Sequence, residues 1–289
     1  RSILIFALLI NEKTGGISAG IEIDENKTKC GRYSYCWPRD ATFITEAFDI
    51  VGMSEYADKF YSEFCRNTQY DNGMWEQRFY TDGNLAPSWG YQIDETASVV
   101  FGAYAHYKTT RDKMFLNDNL DMFEKAICFL EKYLDDIFEN KNQMQKSYDL
   151  WEEYEGVSLY SLSAICASFK SMIKIYSELK TLYENDLEKN QFMDSKIENL
   201  QLNVQKLTEY CENNFYDESR NSYVRNTDDR KIDMSIIGAV FPFKMFSADS
   251  IRVQNTIEQI NNTIRTYTGG YVRYENDGYM GGKNPWPIV

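Results

Sequence analysis

One apolar stripe constrains this chain more than any other feature. Leu159, Leu162, Ile165, Phe169, Met172, Ile173, Tyr176 and Leu179 follow one another mostly at steps of three and four. That spacing keeps side chains on one face of an α-helix. A helix with such a face needs other apolar faces to cover it, because packing supplies most helical stability. The chain provides them. Phe43, Ala47, Ile50 and Val51 share a face, as do Tyr56, Phe60 and Phe64. Ala97, Val100, Phe101 and Tyr104 form another, and Phe123, Ile127, Leu130, Leu134 and Phe138 a fourth. Leu200, Val204, Leu207 and Cys211 continue the pattern, followed by Val253, Ile257, Ile260 and Ile264. With the N-terminal run and the stretch near Ile236, about nine helices are predicted. Strand signals are few, and Ser222 to Arg225 is the best of them. The fold class read from this pattern is all-α. No linker or low-complexity tract interrupts it, so residues 1–289 read as a single domain.

Charge narrows the partners. The chain has 31 basic and 44 acidic side chains, a formal charge of −13. Phosphate binding is driven by Lys and Arg, so nucleic acid and anionic membrane are excluded as partners. No apolar run is long enough to span a bilayer. Among the six cysteines no pair has C-x-x-C spacing, so neither zinc nor a disulfide framework is expected. Cys128, Cys166 and Cys211 read as core thiols. The single histidine, His106, reads as a helix-end residue. The opening RSILIFALLI reads as a buried helix, not a signal peptide. The first residue is not Met, which suggests an excerpt of a longer protein.

Four segments between the helices are rich in aromatics, glycine and charge. They are CGRYSYCWPRD, QYDNGMWEQRFYTDGNLAPSWGYQIDE, YDLWEEYEG and YTGGYVRYENDGYMGGKNPWP. Their Gly, Pro, Asn and Asp content makes them loops. A ring of helical hairpins would gather such loops at one end. Trp and Tyr faces stack on the C–H faces of sugars, and carboxylates and Arg bond sugar hydroxyls. Carbohydrate is the ligand class this composition favours.

YDLWEEYEG crowds Asp149, Glu152, Glu153 and Glu155 around Trp151. Two readings stand at this point. The carboxylates could favour the dipole of a helix N-terminus. Alternatively, an apolar ring and neighbouring negative charge could hold one carboxyl protonated near neutrality. Asp40 likewise reads as an N-cap for a helix beginning near Ala41, or as a ligand. Arg39 could pair with a core carboxylate. Glu95 reads first as a carboxylate at a helix start. Trp75 and Trp286 read as packing residues.

The four loops, in this order, resemble the glucoamylase family, glycoside hydrolase family 15. TGGISAG followed by GRYSYCWPRDATF resembles its first catalytic-face loop, and PSWGYQIDETA its second. YDLWEE resembles the third and RYENDGYMGGKNPWP the fourth, with Lys283 a departure from the pattern. The resemblance implies an (α/α)6 toroid. It implies that Arg39 and Asp40 grip the terminal glucose and that Trp89 forms part of the site wall. Glu152 is then the general acid, flanked by Trp151 and by Glu153 as substrate-binding groups, and Arg273 contacts the sugar. The implied activity is exo-acting, inverting hydrolysis of α-1,4-linked glucose from starch or maltooligosaccharides, without a cofactor. Trehalose and isomaltooligosaccharides are the alternatives within the family, and a non-catalytic regulatory domain is the alternative outside it. The family's general base lies after the NPWP loop. The resemblance therefore places it beyond Val289 and implies a catalytic domain truncated before its last helices, incomplete at the C-terminal end.

Overall fold

A computed structural model describes residues 2–21, 33–88, 90–141, 144, 146–279 and 285. The helices are α1 (Ser2–Leu9), α2 (Pro38–Ile50), α3 (Ser54–Lys59), α4 (Ile93–Thr110), α5 (Lys113–Asp118), α6 (Leu120–Phe138), α7 (Leu159–Leu179), α8 (Leu187–Phe215) and α9 (Ile251–Thr263). A π-helical turn, Phe60–Cys65, and Arg66–Thr68 continue α3. Two hairpins of two-residue strands accompany them: β1 (Ser147–Tyr148) with β2 (Glu155–Gly156), and β3 (Tyr216–Asp217) with β4 (Ser222–Tyr223). The protein is all-α in class, as the periodicity requires. Among the described residues no helix is long and apolar enough to cross a membrane.

The longest stripe is the helix it predicts, and Leu159, Leu162, Ile165, Phe169, Met172, Tyr176 and Leu179 are buried along it. Near Ile236 the expectation fails in detail. Met234–Ala239 winds as a 3₁₀ turn, with Asp233 capping it through Ser235 N–H. Its length and its Gly238 disfavour a full α-helix. Cys128 is exposed, so it is not a core thiol, whereas Cys166 and Cys211 are buried.

The chain divides into two compact units. The first comprises Arg1–Gln145 and Ser168–Gln201, the second Lys146–Ala167 and Leu202–Val289. In the first, α2 packs along α4. Gly102 sets the approach: a Cβ there would stand 2.4 Å from Tyr61 Oη and 2.7 Å from Thr42 Cβ. Phe60, Tyr61, Phe64 and Phe115 fill the core beside it. His106 is buried among them, with Nδ1 2.9 Å from Asp49 Oδ1. It is a core histidine with a carboxylate partner, not a helix-end one. Trp75 is buried too, its Nε1 donating to Cys65 O at 2.9 Å.

In the second unit, Ile232, Ile260 and Ile264 form an apolar cluster with Met234, Ile237, Tyr271 and Val272 packed on it. β4 packs against α9, where Tyr223 N–H donates to Thr256 Oγ1 at 2.9 Å. Tyr223 stacks on Phe246 with centroids 4.5 Å apart. Ile232, Tyr271 and Val272 of this cluster belong to the segments Arg225–Asp233 and Tyr271–Asp277, which carry both buried arginines of this unit.

Gly102→Val should destabilise the protein by about 2 kcal/mol, since overpacking a tight core costs roughly 1–3 kcal/mol. Urea unfolding of the full-length protein measures it. An unchanged midpoint would mean that α2 and α4 do not meet at Gly102.

Candidate active site

In the first unit, α2 begins at Pro38, with Trp37 as an N-cap that offers no side-chain acceptor. Proline suits the first helical position because its missing N–H is an orphan there anyway. The next N–H, that of Arg39, still needs an acceptor. Glu95 supplies it across the core, with Oε2 2.6 Å away. Asp40 therefore lies inside the first turn and is not the N-cap. The Arg39 guanidinium donates to Asp94 Oδ2 at 2.8 Å and lies 3.0 Å from Glu95 Oε1. It also donates to Asp40 Oδ2 at 3.2 Å. The Arg39 side chain is 8% exposed and that of Asp40 is 42% exposed. The pair thus has an inside and an outside. Arg39 is held among core carboxylates, as its bland reading allowed, and it braces Asp40, which faces solvent. Burial raises the Glu95 carboxyl well above its ordinary range, with the Arg39 charge opposing. Trp89 lies outside the described residues, as do Trp286 and Lys283.

In the second unit, YDLWEEYEG is a β-hairpin. Ser147 pairs with Gly156 and Tyr148 with Glu155. That removes the helix N-terminus from consideration. Asp149 fastens the loop between the strands. Its Oδ1 accepts from the N–H groups of Glu153 at 2.9 Å and Tyr154 at 3.2 Å. Its carbonyl accepts from Glu152 N–H at 3.0 Å, and its own N–H donates to Tyr154 O at 2.8 Å. The loop turns back so tightly that Glu152 adopts φ +62°. A non-glycine residue in that region costs of order 1–3 kcal/mol and persists only where its surroundings impose it.

Two arginines supply those surroundings. Arg273 donates to Glu153 Oε1 at 2.8 Å and to Asp277 through Nε at 3.0 Å and Nη2 at 2.8 Å. Tyr274 Oη donates to the other Glu153 oxygen. The Arg273 guanidinium also lies 5.5 Å from the Trp151 ring centroid and 4.5 Å from that of Tyr279. Arg225 pairs with Asp229 and approaches Asp233 Oδ2 at 3.3 Å and Asp149 Oδ2 at 3.6 Å. It stacks on Tyr274 at 4.4 Å. Asp233, wholly buried, accepts from Trp151 Nε1 at 3.0 Å on each oxygen. Trp151, Glu153 and Arg273 are thereby brought together, with Glu152 between the first two in sequence.

The electrostatics follow from burial. Desolvation pushes Asp149 up to about 6; its two backbone N–H bonds and Arg225 oppose the shift, and Asp233 adds to it. Asp233 is raised by burial as well. Asp277 is also desolvated, yet its bonds from Arg273 hold it below the ordinary carboxylate range.

Arg225, Asp233 and Asp277 were not singled out from the sequence, nor was Asp94. The segment RNTDDRKID has no aromatic residue and no helical period, so nothing local marks Arg225 or Asp233. Asp277 and Asp94 lay within the quoted loops, where their neighbours drew the attention.

The comparisons with known proteins give the family and the fold. The model of Glycosyl hydrolases family 15 matches residues 1–289. The chain belongs to that family. An uncharacterized glycosyl hydrolase of Methanocaldococcus jannaschii is 31% identical over 288 residues, 99% of this chain and 42% of its own length. Trehalase 2 of Sulfolobus acidocaldarius is 22% identical over 314 residues, 100% of this chain and 51% of its own. The chain thus spans about half or less of the curated relatives it matches. A bacterial glucoamylase solved with acarbose superposes with a TM-score of 0.72 at 19% identity, over 96% of this chain and 42% of that one. The fold is that of the glucoamylase (α/α)6 class, as the loop resemblance implied.

A pH titration tests the hairpin. Asp149 is raised in the fold, so its proton is bound more tightly there than in the unfolded chain. Its contribution to stability is then greatest at low pH and is lost as pH rises from about 4 to about 6. Asp149→Asn keeps the acceptor and removes the titration. Relative to the native protein, the variant should gain stability across that window, by about 2–3 kcal/mol at most, and level off above it. A difference that does not vary with pH would mean that the fold does not raise the Asp149 carboxyl, its N–H bonds and Arg225 offsetting burial.

Proposed function

We propose that this chain carries the catalytic acid of an exo-acting, inverting α-glucosidase of the glucoamylase type. Its substrates would be starch chain ends or maltooligosaccharides, and residues 1–289 would belong to one catalytic domain. The observation that supports this most is the setting of Glu152. It sits on a hairpin loop fastened by Asp149, with a left-handed backbone. Its neighbours Trp151 and Glu153 are each held by a buried group. A positioned acid needs that rigidity.

In this reading Glu152 gives its proton to the glycosidic oxygen as the bond to the anomeric carbon breaks. A water activated by a second carboxylate attacks the opposite face, and the configuration inverts. Glu153 and Arg273, already bonded to each other, present a planar acceptor–donor pair to sugar hydroxyls. The Trp151 ring offers an apolar face. Asp40 serves as a hydroxyl acceptor, with Arg39 behind it. Trp89 keeps its proposed place in the site wall from the loop resemblance.

A second reading is hydrolysis of α,α-trehalose. It is favoured by the similarity to Trehalase 2 of Sulfolobus acidocaldarius. Side-by-side assays of maltooligosaccharides and trehalose decide between the two. Glucose release from the first alone supports the glucoamylase reading, and from trehalose alone the second.

Glu152→Gln in the full-length protein should lower kcat by about 10²–10⁴-fold on the preferred substrate. Loss of less than a few-fold would reject Glu152 as the acid.

A further inference from the structure

We infer that Asp233 is a positioning residue that sets the candidate acid through the Trp151 indole; this rests on the reading of Glu152 given above. Asp233 has no exposed surface. Trp151 Nε1 stands 3.0 Å from each of its carboxylate oxygens, so the indole N–H is centred on the carboxylate. Oδ1 also accepts from Ser235 N–H at 2.7 Å, and Oδ2 meets Arg225 Nη1 at 3.3 Å. Both oxygens are thus pinned before the indole reaches them.

The backbone of the same segment holds the other loop. Asp233 forms a bridge with Tyr274, and Met234 N–H donates to Arg273 O at 2.8 Å. The residue that fixes Trp151 with its side chain therefore sits in the segment whose main chain, through Met234 N–H and Ile232 C=O, holds Arg273 and Glu275. Arg273 and Tyr274 in turn hold both oxygens of Glu153. Glu152 lies between Trp151 and Glu153 on a left-handed turn of the backbone, so its main chain is carried between these two anchored neighbours. An Asp present only to neutralise Arg225 would have no need of the indole. Asp229 already pairs with Arg225.

Positioning through Trp151 predicts overlap between two substitutions. Asp233→Asn and Trp151→Phe are made singly and together in the full-length protein and assayed on maltooligosaccharide and trehalose. Each alone should lower kcat by about 10–10²-fold, the scale of an ångström of misplacement. Together they should cost little more than either alone, because the second removes an anchor already lost. Losses that multiply would overturn the inference.

A readout without turnover accompanies this. The emission that Trp151→Phe removes is the Trp151 contribution. It should shift in Asp233→Asn, whose indole partner is uncharged, and stay unchanged in Asp58→Asn, an exposed control in the first unit. Identical Trp151 emission in Asp233→Asn and native protein would also overturn the inference. The parent reading fails separately: if Glu152→Gln remains active, Glu152 is not the acid, whatever the emission shows.

Discussion

A guanidinium leaves water only where carboxylates and ring faces replace its hydration. Arg39, Arg225 and Arg273 are each buried in this protein, and each organises the charged segment around it. Arg39 draws Asp94 and Glu95 of α4 to the start of α2. Arg225 gathers Asp229 and Asp233 and comes near Asp149. Arg273 binds Glu153 and Asp277 and lies against three aromatic rings. Removing one arginine would strand its carboxylates in a low dielectric, the costly way to break such a cluster. The helices bury the apolar stripes, and these arginines decide where the loops between them come to rest.

The clusters of Arg39 and Arg273 share a pattern of exposure. Around Arg39 the inner carboxylates are wholly buried and Asp40 alone reaches solvent. Around Arg273, Asp277 is buried while the Glu153 side chain stays 37% exposed. In both, a buried carboxylate fixes the arginine and a second, partly exposed carboxylate is left available. An acceptor held that way pays little ordering entropy when a hydroxyl binds. This is the physical content of the sugar-binding roles proposed for Asp40 and Glu153.

Much of the fold was legible because helical burial repeats. The stripe from Leu159 to Leu179 gives its helix without any tertiary knowledge, and Ser222–Tyr223 is a strand where alternation suggested one. The candidate site was legible only in part. YDLWEEYEG stood out through its composition, yet its carboxylates fitted a helix start as well as a loop. Pairing of Ser147 with Gly156 distinguishes the two, and strands of two residues are too short to leave an alternation in the sequence. Asp233 was illegible for a plainer reason. Its partner Trp151 is 82 residues away, and no period or spacing connects them. Cys128 misled because a residue on an apolar helix can still sit at the edge of its buried face. The Asp40 reading misplaced the helix start because the cap of α2 comes from Glu95 rather than from a neighbour in sequence.

The central claim is that a fixed Glu152 protonates an α-glucosidic oxygen while water attacks from the other side. The anomer of the first glucose released tests it most directly. Proton NMR of the full-length protein with a maltooligosaccharide, read before mutarotation, should show the newly released glucose as the β-anomer. Initial release of α-glucose would contradict the account, because it requires a carboxylate nucleophile and a covalent intermediate in place of direct attack by water.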